Sequence, residues 1–290
     1  MNIAIFADLH GRILLALKLC ARWQIESGER IDLILQSGDM GIIATPEQMD
    51  KATLRHADRD PSEAGFGEHF SRPNQQTSIS LSTLKCNLVF VRGNHEDHQW
   101  LDTLEGRDKD VALFSVDAYG RLWCLKTGWP WTFKAGEEKI CVLGIGRIGA
   151  GLGTEESRSS KTIQDLEIER LAAIPSGYEI DIILSHDCAP DYPNARSLGM
   201  EVIRNALDRH RPTYHIFGHV GGCFNSGLDR NGVSRFIKMA DMAWGGKGDG
   251  FMLNSGIFGI LSWKSRREHD FQVVNAPWLK EYARHNWQYL

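Results

Sequence analysis

Five short apolar runs in this sequence each end on polar side chains, and that pattern restricts the fold more than any other feature. "IAIFAD" reaches Asp8 with His10 just behind it, "DLILQSGD" reaches Asp39, and "NLVFVRGN" reaches Asn94, followed by His95, Glu96 and Asp97. "IDIILSHD" carries His186 and "TYHIFGHV" carries His219. Runs this short, rich in β-branched and aliphatic residues, read as strands, and helical patterns stand between the first three: about Ile13 to Glu26, then "PEQMDKATLRHA". A βαβαβ opening predicts parallel strands, whose carboxyl ends share one rim of the sheet. Residues far apart in sequence therefore converge there.

Taken singly, each polar residue has an ordinary explanation. Asp8 and Asp39 suit helix caps, Asn94 suits a left-handed turn, and a lone histidine is usually a satisfied surface or core residue. Divalent metal binding accounts for all of them at once. Imidazoles mixed with carboxylates suit Mn, Fe, Zn or Ni, whereas calcium or magnesium takes an almost wholly oxygen shell. Two such ions held roughly 3.5–4 Å apart activate a bridging hydroxide and clamp a phosphoryl group, so the chemistry indicated is phosphoester hydrolysis.

The rest of the chain reads as one domain over residues 1–290. A stretch rich in Ser, Pro and Gln at about 58–83 is expected to be a polar surface insertion. From Val111 to Gly146 shorter strands and Gly and Pro turns suggest antiparallel additions. The second half repeats the opening pattern, with helices at "TIQDLEIERLAAI" and "MEVIRNALDRH", and the tail at about 277–290 is expected to be an aromatic-rich helix. "GIGRIG" matches a dinucleotide-binding pattern but opens onto a segment without helical periodicity, so it is set aside. The Trp-rich "GWPWTF" and the aromatic tail are expected to pack against the body of the protein more than to stack on bases.

Thirty-three basic and 37 acidic side chains leave a formal charge of −4, which offers no global attraction to a nucleic-acid backbone or an anionic membrane. No apolar run approaches the roughly 18 residues of a membrane span, and no leader with a cleavage site is evident at the N-terminus. Six widely spaced cysteines without a C-x-x-C pair are the usage of reduced, buried thiols, so a soluble cytoplasmic protein is expected. Cys188, beside His186, reads as a small packed side chain.

The blocks "DLHG", "GDMG", "GNHED", "SHD" and "GHV" resemble, in order and spacing, those of calcineurin-like metallophosphoesterases, and they span residues 8 to 220. The resemblance implies a four-layer α/β/β/α sandwich with two mixed central sheets and a metal site at their rim. It makes Asp39 a carboxylate bridging two ions, Asp8 and His10 ligands of one, and Asn94, His186 and His219 ligands of the other. One or two ions per chain are expected, Mn first among Mn, Fe, Zn and Ni. His95 is left to protonate the leaving oxygen, with Glu96 or Asp97 orienting it and Arg92 placed to pair with phosphate. The substrate is a phosphoester, monoester or diester, with nucleotides and nucleic acid among the candidates; no membrane partner is expected and the oligomeric state is open.

One block departs from the family pattern. Where G-H-x-H is usual the chain has "GHVGG", with Gly221 in place of the second histidine, so the first ion retains only Asp8, His10 and Asp39. Cys223, Asn225 and His215 are near enough to fill in, and the sequence does not choose among them. A protein serine/threonine phosphatase is disfavoured because Ile42 and Ile43 stand where an acid and an arginine follow the G-D block. A non-catalytic metal- and phosphate-binding module is the other reading, and His95 argues against it, since a binding scaffold has little use for a proton donor.

Overall fold

The computed structural model describes residues 1–49, 51–149, 159–193, 199–245 and 252–290. Strands β1 (Asn2–Phe6), β2 (Leu33–Gln36) and β3 (Leu88–Phe90) pair in parallel in that order. β4 (Leu113–Ser115) and β5 (Leu122–Leu125) extend the sheet beyond β3, with β5 parallel to β3 and β4 antiparallel to β5. A second sheet holds β6 (Pro130–Ala135), β7 (Glu138–Ile145), β8 (Ile182–Ser185), β9 (Tyr214–Phe217), β10 (Asn225–Leu228) and β11 (Arg235–Lys238) in the order β10-β11-β9-β8-β7-β6. Its four central strands are parallel and its two edges antiparallel. After a two-residue ribbon of β12 (Trp244–Gly245) and β13 (Met252–Leu253), β14 (Gly259–Ser265) and β15 (Glu268–Val273) return antiparallel to the open side of β1.

The strands are apolar throughout because both faces are covered. Alternate residues of β1 go opposite ways: Ile3 and Ile5 pack between the sheets against Ile182, Leu184 and Ile216, while Ala4 and Phe6 pack against α1 (Ile13–Ser27). Each such side chain contributes on the order of 1.5–3 kcal/mol relative to exposure. On the far face of the second sheet Leu143, Ile183 and Phe217 share a cluster with Leu171 and Leu207 of the outer helices. The result is helices, sheet, sheet, helices. The parallel strand ends of both sheets open onto the same rim.

The remaining helices are α2 (Lys51–Ala57), α3 (Gly65–His69), α4 (Gln75–Thr83), α5 (His98–Arg107), α6 (Asp165–Ala173) and α7 (Glu201–His210). Among the described residues no helix is long and apolar enough to cross a membrane.

Three expectations need correction. The stretch at about 58–83 is not a surface excursion: it folds into α3 and α4, and Phe66 and Phe70, one helical turn apart, are fully buried in the core. The tail at 277–290 is not one α-helix but two 3-10 turns, Pro277–Glu281 and Trp287–Tyr289. Between them Tyr282 is extended and Ala283 pairs with Met252, so tertiary pairing breaks the helix while Trp278, Tyr282 and Trp287 still reach the core. The pattern at 46–57 likewise divides into a 3-10 turn, Pro46–Gln48, and α2. The sequence pattern does not predict strands β6, β10 and β11. The segment after "GIGRIG" lies outside the described residues.

Candidate metal centre

The loops after β1 and β2 run side by side, tied by His10 N–H to Asp39 O at 2.8 Å and Gly11 N–H to Met40 O at 2.9 Å. The loop after β3 joins them through the His95 N–H, which donates to Asp39 Oδ1 at 2.7 Å. From the second sheet, the His219 N–H donates to both oxygens of Asp8, at 3.1 and 3.2 Å, and the Gly218 N–H to His186 O at 3.2 Å. A Cβ on Gly93 would overlap Asp39, and one on Gly218 would overlap the Asp8 carboxylate. These glycines let backbone approach the carboxylates.

The side chains so gathered form two groups sharing one residue. Ligand atoms of Asp8, His10 and Asp39 all lie within 4.8 Å of one another, as do those of Asp39, His186 and His219. Asn94 Oδ1 adjoins the second group, 3.0 Å from His186 Nε2. All six residues read from the sequence as metal ligands are thus brought together. Four of them hold left-handed backbone, Asp8 (φ 47), His10 (φ 44), Asp39 (φ 52) and His219 (φ 62), against two other non-glycine residues among those described. Such conformations cost on the order of 1–3 kcal/mol each, and their concentration here marks a site for which strain is tolerated.

The donor set fits a metal ion, and His186 gives the clearest reason. Its Nδ1 is 3.0 Å from the Ser37 carbonyl, which only accepts, so Nδ1 carries the hydrogen and Nε2 faces Asp39 Oδ2 at 3.4 Å and Asn94 Oδ1 at 3.0 Å. A nitrogen surrounded by acceptors must either carry a proton or meet a metal ion in its place. Burial alone would lower the His186 pKa, but Asp39 and Asp8 outweigh it and push it up to about 10. His10 and His219, whose burial prevails, fall to about 4. Burial lifts Asp8, with Asp39 adding to it against His186, whereas at Asp39 the surrounding imidazoles overcome burial and hold the carboxyl well below its usual range.

His95 stands outside both ligand groups. Its ring is edge-on to His10, with centroids 5.4 Å apart, and its Nδ1 is 3.3 Å from Thr53 Oγ1. Nothing in the sequence pointed to Thr53. Of the groups expected to assist His95, Asp97 is the N-cap of α5, accepting the Trp100 N–H at 3.0 Å, so it serves the helix. Glu96 is buried under the "GDMG" loop and accepts from Met40 N–H at 2.8 Å and Ile42 N–H at 2.6 Å. Its carboxyl is pushed up to about 8 by burial and by Asp39, against those N–H bonds. Arg92 also requires correction. Its guanidinium is buried in ion pairs with Asp102 and, at 2.6 Å, Glu105, over the Phe114 ring, and it does not face the rim.

Around Gly221 the structure narrows the replacements for the missing histidine. His215 is fully buried between Ser185 Oγ at 2.7 Å and Tyr192 OH at 3.0 Å. Cys223 is exposed, and Asn225 lies on edge strand β10. The carbonyls of Gly221, Gly222 and Cys223 all accept from the Lys238 ammonium. Asp241, to which no sequence motif points, lies just past the end of β11 and lines a cavity of about 460 Å³ with His10, His95, Arg59, Trp244 and Arg284. Its carboxyl is raised by burial, opposed by Lys238 and reinforced by Asp39. Cys188 is packed and buried, its thiol pushed up to about 12 by burial and Asp187. Ile42 and Ile43 are core residues.

No curated protein matches the chain in sequence. One crystal structure, 14% identical, covers 94% of this chain and 98% of its own with a TM-score of 0.52, which shows a shared fold. A hypothetical protein from Thermus thermophilus is 12% identical with a TM-score of 0.48 over 96% of this chain and 100% of that one. A phosphatase from Mycoplasma pneumoniae is 12% identical with a TM-score of 0.44 over 99% and 98%. The family model for calcineurin-like phosphoesterases matches residues 1–223, a span that contains every strand-end block from Asp8 to His219. The chain belongs to the calcineurin-like phosphoesterase family.

Proposed function

We propose that the rim is the active site of a metal-dependent phosphoester hydrolase. In this reading Asp39 would be shared by two divalent ions, Asp8 and His10 would hold one, and Asn94, His186 and His219 would hold the other. The ions supply the Lewis acidity that draws charge from a phosphoryl group and activates water. Ser37 holds His186 in the tautomer that presents Nε2 to the site, and Glu96 fixes the loop that carries Asp39. His95, tied through its backbone to Asp39, carries its ring beside the shared carboxylate and protonates the leaving oxygen, with Thr53 steadying the ring.

The adjoining cavity of about 460 Å³ suits a leaving group of moderate size. The lining sets three guanidinium groups, of Arg12, Arg59 and Arg284, among three carboxylates, of Asp60, Glu63 and Asp241, beside the Trp244 indole, and that indole favours a phosphoester bearing an aromatic ring, such as a nucleotide. The chain's net charge of −4 argues against a long nucleic-acid strand.

The observation that carries this reading is the meeting of two ligand groups at one carboxylate, Asp39. It is tested by assaying purified protein with Mn, Ni, Fe(II) or Zn against phosphomonoester, phosphodiester and nucleotide panels. Turnover is expected only with metal and is expected to stop with chelator. Metal-loaded protein that turns over no member of any panel would instead be a binding module.

A further inference from the structure

Resting on the metal-dependent reading above, we infer that Asp241 supplies the ligand lost at Gly221. β11 runs parallel to β9, so its carboxyl end opens onto the same rim as the His219 loop, and Asp241 follows that end. The next residue is fastened to the site itself, the Met242 N–H donating to the Asp8 carbonyl at 3.1 Å. Asp241 shares the cavity with His10 and His95, on the side of the first ligand group. Its Oδ1 is buried and has no hydrogen-bond partner among the described residues. A buried carboxylate oxygen without a donor is costly unless a cation takes the donor's place.

The three alternatives fail for separate reasons. His215 has both ring nitrogens engaged by hydroxyls, Cys223 faces solvent, and Asn225 is on an edge strand directly opposite Lys238. The 221–223 loop already spends its carbonyls on the Lys238 ammonium. Asp241 stands outside the 4.8 Å cluster of Asp8, His10 and Asp39, so joining it takes a side-chain rotation.

A carboxylate in place of an imidazole changes the character of that half of the site. Its donors become Asp8, Asp39, Asp241 and a single imidazole, His10, whereas the other half keeps His186, His219 and Asn94 with Asp39. The oxygen-rich half selects a hard ion such as Mn²⁺, and the nitrogen-rich half accepts Zn²⁺ or Fe²⁺ as well.

The test is titration of chelator-treated protein with Mn²⁺ alone, read by calorimetry and by elemental analysis after desalting. Wild type is expected to hold two ions per chain. Asp241→Asn keeps the shape and removes the charge, and it should hold one ion while the other weakens by at least about 10-fold. The double variant Asp241→Asn with Gly221→His should regain the second ion, because the imidazole takes the family position. Circular dichroism melts without metal separate folding from ligation: Asp241→Asn should melt close to wild type, since Oδ1 has no hydrogen bond to lose and the attraction of Lys238 is offset by the cost of burying the charge. If Asp241→Asn does melt lower, the double variant decides, because recovery of the ion on that destabilised background requires a ligand and not a better fold. Asp241→Asn binding two ions as tightly as wild type overturns the inference alone, as does wild type holding only one. Wild type that binds no Mn²⁺ overturns the metal-dependent reading with it.

Discussion

His186 and His215 are equally buried on neighbouring strands of the second sheet, His186 one residue past the end of β8 and His215 within β9, yet they have opposite characters. Burial alone pushes both towards the neutral imidazole. At His215 nothing opposes it strongly, since the ring sits between two hydroxyls, and the pKa falls to about 3. At His186 the carboxylates of Asp39 and Asp8 reverse the effect and raise it to about 10. Burial therefore says little about what a histidine does. The charge its ring nitrogens face decides whether it belongs to a cation site or to a polar core.

His95 provides the sharpest test, because it is a rim histidine outside both ligand groups. His95→Asn is expected to lower turnover by about 10²–10⁴-fold, the scale of a lost general acid, with metal content unchanged. Loss of metal in that variant would make His95 a ligand and erase its separate role.

Next in size is the paired comparison of His186→Gln with His215→Gln. Removing the His186 imidazole should weaken metal binding by at least about 10–100-fold. His215→Gln should leave metal content and turnover alone and lower stability by about 1–3 kcal/mol, through hydroxyls left poorly paired. If His215→Gln loses an ion, proximity along the strand counts for more than facing charge, and the two histidines do not differ in the way their ring partners imply.

The sequence made the proposed ligand set legible because each of its residues lies within a few positions of the end of an apolar run, and parallel topology does the gathering. It was less informative where a residue's partner lies on another element. Arg92 looked like a phosphate contact because Asp102 and Glu105 belong to a helix whose facing side was unknown. Asp97 looked like an aid to His95 because a helix cap and a catalytic acid have the same local sequence. Asp241 obeys the same strand-end rule as Asp8 or Asp39, but the short β11, "RFIK", has charged ends and does not read as an apolar run, so no strand end marks Asp241 in the sequence. At 58–83 the frequent Ser, Pro and Gln concealed two buried phenylalanines one turn apart.

The contrast also has a signature in acid. The folded pKa of His215, about 3, lies below the ordinary 6.5, so between those values the unfolded chain binds a proton that the folded chain refuses. Its contribution to stability is whole above pH 6.5 and is lost as pH falls towards 3, at about 1.4 kcal/mol per pH unit. His215→Gln should flatten the fall in stability between about pH 6 and 4 by roughly that slope, measured by urea unfolding. An unchanged slope would mean that His215 titrates normally and that its surroundings do not hold it neutral.

The smallest expected effect is that of Gly221→His in otherwise wild-type protein. Gly221 has φ 61, and a Cβ there would meet nothing within 4 Å, so the imidazole has room but takes a left-handed backbone. Histidine is among the residues that tolerate that region, as His219 (φ 62) shows two residues earlier, and the cost should be about 1 kcal/mol, seen as a fall of about 2–4 °C in melting temperature without metal. If Asp241 already completes the first ligand group, a further imidazole changes Mn²⁺ affinity by less than about 10-fold, because the seat is taken. If nothing completes it, the same substitution restores the family's shell and tightens that ion well beyond this range. The insertion of one side chain thus distinguishes a half-site rebuilt with a carboxylate from one left open, and a strong gain in affinity would show that Asp241 is a bystander and that the two halves of the site differ in strength as well as in kind.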